Sequence, residues 1–157
     1  MDIFDALLKS HDLQRSIAKR LLSDIGESDQ RSRDFEQLKT ELAAHETAEE
    51  RAFYVPLIEH DEAVDAARHG IAEHHEMDEM VECIEKLEPG SAEWLQQLGA
   101  LVHKLEHHLK EEEDRWFPLA RRVLSRSEQK ELGEPYQEEH DRLKAKEEAT
   151  ETHGTKP

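Results

Sequence analysis

Apolar residues recur at helical spacing along most of the chain. Over residues 2–25 the stripe is Ile3, Phe4, Leu7, Ala18, Leu21, Leu22 and Ile25, positions that fall on one face of a helix. Asp2 offers an N-cap and Gly26 a stop. Residues 26–32 are polar and read as a loop. A second helix then carries Phe35, Leu38, Leu42, Ala52 and Phe53 until Pro56 ends or kinks it. A third, starting near Asp61 or Glu62, carries Ile71, Met77, Met80, Val81, Ile84 and Leu87 and stops at Pro89 and Gly90. Ser91 can cap a fourth, which carries Leu98, Leu101, Val102, Leu105, Leu109 and Trp116, with Pro118 near its end. Short connections between long helices imply antiparallel neighbours. The expectation is an all-α, up-down-up-down antiparallel four-helix bundle over residues 1–125. Beyond Ser125 the pattern weakens. Residues 127–132 predict a short helix, 136–148 a polar one packed loosely on the bundle, and 150–157 a frayed end, so 126–157 reads as a short C-terminal helical tail.

Composition supports one helical domain. Its 157 residues suffice for a single core, and glycine (six) and proline (five) are scarce. The formal charge of −17 excludes nucleic acid and anionic membrane as partners, because phosphates would be repelled. No stretch approaches a membrane span in length. Met1 is followed at once by charged, helix-patterned residues, so no signal peptide is expected and the cytoplasm is the expected compartment. The lone Cys83 cannot form an intramolecular disulfide; it fits a reducing compartment and reads as a small helix-packing residue.

Eleven histidines change the picture. Two segments resemble each other, one beginning His45-Glu46-x2-Glu49 and the other His108-x3-Glu112; each continues with an acid, an arginine, aromatics and Pro-Leu. A further histidine lies 34 residues upstream of each, His11 and His74. The chain therefore reads as two helix hairpins, each supplying a single histidine and a His-x3-Glu pair. Residues four apart lie on one helix face. His45 and Glu49 fall within the arc of Leu38, Leu42 and Ala52, and His11 falls on the face of Leu7 and Ala18. Glu112 lies within the arc of Leu98, Leu105 and Trp116, with His108 and His74 at the edges of their arcs. His75, His107 and Glu111 turn toward the polar side. The remaining histidines, His60, His69, His103, His140 and His153, are expected on the surface without a role.

A core that merely tolerates polar residues would have to bury two carboxylates and four imidazoles, at several kcal/mol for each unpaired carboxylate. A metal removes that burden by turning them into ligands. With no cysteine in the set, nitrogen and oxygen donors suit iron, manganese or zinc, and six or more ligands exceed one tetrahedral zinc. Two ions bridged by Glu49 and Glu112 is the natural count. Glu-x2-His pairs of the ferritin-like di-iron bundles are absent, since no acid stands three residues before any histidine. Phe53, Tyr54, Trp116 and Phe117 follow the ligand pairs, as core or as an aromatic lining that restricts solvent.

The order single His, His-x3-Glu, single His, His-x3-Glu on four successive helices resembles the hemerythrin-like, or HHE cation-binding, family over about residues 2–125. The resemblance implies two non-haem irons, oxo- or hydroxo-bridged, with manganese or zinc as alternatives. It also implies binding or sensing of dioxygen, nitric oxide or peroxide, with peroxide decomposition at the di-iron site or metal storage and handling as rival functions. Two departures stand out. Oxygen-carrying hemerythrins have a second histidine where this chain has Asp78, and a longer-spaced Asp where it has Glu112. Fewer imidazoles and more carboxylate favour oxidised iron, which weighs against reversible oxygen carriage. Asp78 is a ligand, an acceptor behind a ligand, or lies just outside; Glu46, at the edge of the apolar face, is a ligand or a surface carboxylate. The expected metal set is His11, His45, Glu46, Glu49, His74, Asp78, His108 and Glu112.

Overall fold

The computed structural model describes residues 1–23 and 28–154, and no strand occurs among them. Four long helices form the bundle: α1 (Ile3–Ser23), α2 (Ser28–Glu49), α4 (Val64–Glu85) and α5 (Ala92–Glu111), with a short α3 (Val55–Ile58) after α2. α1 packs on α2 and α5, and α4 packs on α5 and α2, so the two hairpins close a ring. Three further helices follow: α6 (Phe117–Val123), α7 (Arg126–Glu131) and α8 (Gly133–Gly154).

The predicted stripes face inward, with instructive exceptions. Leu22 is 54% exposed: the inner face of α1 runs through Gln14, Ile17, Ala18 and Leu21, which leaves Leu22 past its edge. Cys83 is exposed rather than packed. Helix α2 starts at Ser28, inside the predicted loop, where Gln30 bonds Asp34 four residues on and nothing breaks the helix. Ile25 and Gly26 lie outside the described residues. Ser91 caps α5 by accepting the Trp94 N–H (3.2 Å), and Gly90 takes the positive φ of 81° that this turn needs.

Neither proline ends its helix. A π-helical turn spans Glu50–Tyr54 ahead of Pro56, and another spans Glu112–Trp116 ahead of Pro118. Val55 N–H bonds the Glu50 carbonyl and Phe117 N–H the Glu112 carbonyl, each five residues back. Proline has no N–H and clashes with the carbonyl four residues before it, and the wider turn accommodates both. Each π turn starts at or beside the glutamate of a His-x3-Glu pair, so it turns the following aromatics back toward the core.

The tail packs more closely than its polar sequence suggests. α8 lies against α2 and α1 and buries Tyr136 (0% exposed) and His140 (5%). Residues 155–157 lie outside the described set. The apolar core is divided in two. One cluster gathers Phe4, Leu7, Phe53, Leu57, Phe117 and Tyr136, and the other gathers Ile17, Phe35, Leu38, Trp94, Leu98 and Leu105.

Candidate metal centre

Between the two clusters lie six buried polar side chains: His11, His45, Glu49, His74, His108 and Glu112, none more than 2% exposed. Their ligand atoms form two overlapping groups, His11, His45, Glu49 and Glu112 in one and Glu49, His74 and His108 in the other, each with all atoms within 4.8 Å of one another. Glu49 is common to both. Each hairpin thus supplies the histidines of one group, and the carboxylates stand between them.

All four imidazoles are held through Nδ1, three by carboxylates and one by a phenol. His11 Nδ1 bonds Glu113 Oε2 (2.6 Å), His74 Nδ1 bonds Glu50 Oε2 (3.1 Å), and His108 Nδ1 bonds Glu73 Oε1 (2.8 Å). His45 Nδ1 bonds the Tyr136 hydroxyl (2.7 Å), which also bonds Ser10 Oγ (2.6 Å). A carboxylate can only accept, so the His11, His74 and His108 rings each carry a proton on Nδ1 and turn Nε2 inward; the Tyr136 hydroxyl at His45 can donate or accept, and it too leaves Nε2 facing the centre. None of the four Nε2 atoms makes a hydrogen bond, nor do the Glu49 oxygens and Glu112 Oε1, yet they crowd together: His11 Nε2 lies 2.9 Å from Glu112 Oε1 and His74 Nε2 3.0 Å from Glu49 Oε1. Such a concentration of orphaned buried acceptors is costly unless a cation fills it. These residues fit a metal pair of nitrogen and oxygen preference.

The electrostatics agree. Burial pushes the Glu112 carboxyl up and neighbouring Glu49 adds to it. Burial would lower His11, but Glu112 and Glu113 outweigh it and raise that ring to about 9. Proton binding is favoured at His11, which two carboxylates face, whereas burial and the neighbouring His11 push His45 well below the ordinary imidazole value.

Aromatic rings enclose the centre. Phe117 stacks on His11 (5.7 Å between centroids), Trp116 meets His108 edge-on (5.8 Å), and Tyr54 lies tilted against His74 (5.5 Å). The Tyr54 hydroxyl donates to Glu112. Gly70 of α4 makes room for that phenol, since a Cβ there would collide with the Tyr54 ring and hydroxyl.

The other two sequence-predicted ligands lie apart from both groups. Glu46 is buried (3% exposed) with Oε1 unpartnered, but it points to a groove between α2 and α4. Burial raises its carboxyl, and a contact with Asp78 raises it further. Asp78 is exposed and lines the same groove. His75 and His107 are largely exposed, as expected (76% and 64% of the side chain). His140 departs from expectation: its Nε2 bonds buried Glu41 Oε1 (2.8 Å). The sequence reading also missed Glu50, Glu113, Glu73 and Tyr136. Glu50 and Glu113 were signalled by the acid that follows each His-x3-Glu pair.

The chain matches the family described as Hemerythrin HHE cation binding domain over residues 2–120. This chain belongs to that family. No curated protein matches it. Among solved structures, the HHE chain is similar to the crystal structure of a hemerythrin HHE cation binding domain-containing protein, the Rv2633c homolog from Mycobacterium kansasii. The TM-score is 0.81 at 19% identity, with 93% of this chain and 89% of that one covered. At that identity the likeness establishes the fold: a hemerythrin-like helical bundle. The buried His and Glu groups of this HHE domain can hold metal ions. No helix among its described residues is long and apolar enough to cross a membrane.

Proposed function

We propose that this HHE domain is a non-haem di-iron protein that binds or senses dioxygen or a related small molecule. Its ligands are His11, His45, Glu49, His74, His108 and Glu112, with residues 126–157 adding Tyr136 behind them. One observation carries the reading: four imidazoles, each held at Nδ1, aim Nε2 atoms without hydrogen bonds at the carboxylates of Glu49, common to both groups, and Glu112. Bound iron would supply redox chemistry toward dioxygen or peroxide. The protein's own contribution is orientation, dryness and a choice of size. Ligands at most 2% exposed admit only a very small molecule without opening the bundle. The phenyl and indole rings exclude water from the same space.

Air exposure of the reduced, iron-loaded protein tests this. New near-ultraviolet charge-transfer bands are expected; an unchanged spectrum with two irons bound would contradict oxygen binding. Tyr54 favours a second reading, peroxide decomposition, because its O–H bonded to Glu112 places a transferable proton at the centre. Steady turnover of hydrogen peroxide that is lost in Tyr54→Phe, with iron content unchanged, would establish it.

A further inference from the structure

The metal centre is sealed, yet a cation has to reach it. The groove between α2 and α4 has a volume of about 420 Å³ and is lined by two facing acidic stripes, Glu46 and Glu50 on one side and Asp78, Glu82 and Glu85 on the other. Both stripes follow helical spacing, so each presents its carboxylates in a row. Lys39 is the cation among the lining residues, and it is bound to Glu85 (2.7 Å). At the inner end Glu50 holds His74 Nδ1 (3.1 Å), and His74 Nε2 lies 3.0 Å from Glu49 of the centre. Glu46 adds an independent sign of a ligand: a carboxylate 3% exposed that lines the groove, its Oε1 without a partner and its carboxyl otherwise bonded to Asp78.

We propose that this groove is the loading route for divalent metal, and that Glu46 and Asp78 form a transit site at its inner end. A hydrated cation is drawn in by Asp78 and Glu82, where the potential of one-sided charge between low-dielectric walls is concentrated. It exchanges water for carboxylate oxygens of Asp78 and Glu46, which already meet across the groove. From there it passes His74 into the second group of ligands. Hard oxygen ligands that hold a divalent ion through only two carboxylates and water bind it weakly enough to release it onward. This accounts for Asp78, four residues after His74, and Glu46, beside His45, standing near the two ligand groups but outside them.

The inference rests on the reading of the centre as a metal site, and anaerobic loading of the full-length protein with ferrous iron separates the two. Uptake is followed by chelator quench over time and by iron content at completion. The wild type should fill to two ions, faster at low than at high ionic strength. The double variant Asp78→Asn/Glu82→Gln should reach the same content roughly tenfold more slowly, within the range of electrostatic steering, and with a weaker salt dependence. Glu93→Gln, exposed and not among the residues lining the groove, should load like the wild type. Loading of the double variant at the wild-type rate would overturn the route, and so would a slowing of Glu93→Gln to the same extent. A final content below the wild type's would make Asp78 or Glu82 a resident ligand instead, which also overturns the transit role. A wild type that binds no iron would overturn the metal-site reading itself.

Discussion

In the first hairpin His45 leans on a phenol; in the second, 63 residues on, His108 leans on a carboxylate. The two hairpins otherwise match at that spacing. His11 pairs with His74, Glu49 with Glu112, and the supporting Glu50 with Glu113, each support reaching across to the other hairpin's histidine. The position equivalent to Glu73 is Ser10, too short to reach His45, and it bonds Tyr136 instead (2.6 Å). The surroundings explain the difference. α8 covers the first hairpin, where another buried carboxylate would have to be desolvated, and a neutral phenol avoids that. The second hairpin is open enough for Lys104 and His69 to stand near Glu73 (3.8 and 3.5 Å). Burial would raise Glu73, but His108, His69 and Lys104 together hold it below the usual carboxylate range. The same arrangement is thus supported by a carboxylate with Lys104 and His69 beside it in the second hairpin and by a neutral phenol in the first, where His140 and Lys144 are engaged by Glu41. His108 should be the more electron-rich ligand.

Removing what the hairpins share should have the largest effect. Glu49→Ala and Glu112→Ala should each lose most of the metal, and the double variant little more, because groups acting as one unit are not additive. Elemental analysis decides it; single variants that each keep one tight ion, with additive losses, would make the hairpins independent mononuclear sites. Next comes the asymmetric support. Glu73→Gln and Tyr136→Phe should each weaken metal binding by about 10- to 100-fold, the former more, since a charged hydrogen bond contributes about 1.5–3 kcal/mol against about 0.5–1.5 for a neutral one. Competition with a chelator measures both. Ser10→Glu added to Tyr136→Phe should recover affinity by giving the first hairpin the second's carboxylate; no recovery would mean that Tyr136 acts by packing alone.

A smaller effect belongs to the cover over the first hairpin. His140 is raised above its ordinary value: burial lowers it, but Glu41 and Asp141 outweigh that, with Lys144 also near Glu41. A raised histidine stabilises fully below its unfolded value of about 6.5, and the contribution is lost as pH rises through the higher folded value. The melting temperature of the wild type relative to His140→Gln should therefore fall between pH 6 and alkaline pH. A constant difference would place the charge elsewhere. The smallest effect is expected at His75→Ala and His107→Ala, which should leave metal content unchanged where His74→Ala and His108→Ala lower it.

That six of the candidate residues meet in the core was legible because helical periodicity turns His-x3-Glu into a single inward face and the repeat resolves each histidine doublet. The aromatics after each pair were open between core and lining in the sequence; Tyr54, Trp116 and Phe117 lie against imidazoles of the centre. What was not legible depends on long-range packing. Nothing local tells that Tyr136, in a weakly patterned polar segment, reaches His45 across 91 residues, or that α8 buries His140 on Glu41. Glu46 shows the limit of phase: one residue past His45, it faces a different neighbour, α4. The π turns were visible only as Pro56 and Pro118, because a proline marks a broken hydrogen bond without saying how the helix absorbs it.

The most direct test is the metal content of protein produced with iron supplied, measured by elemental analysis alongside the melting temperatures of loaded and stripped samples. Two ions per chain, mainly iron, with a lower melting temperature after stripping, is the expected result, since the orphaned carboxylates and imidazoles are then left unpaired. One zinc or no metal per chain, with stripping leaving the melting temperature unchanged, would contradict the di-iron reading.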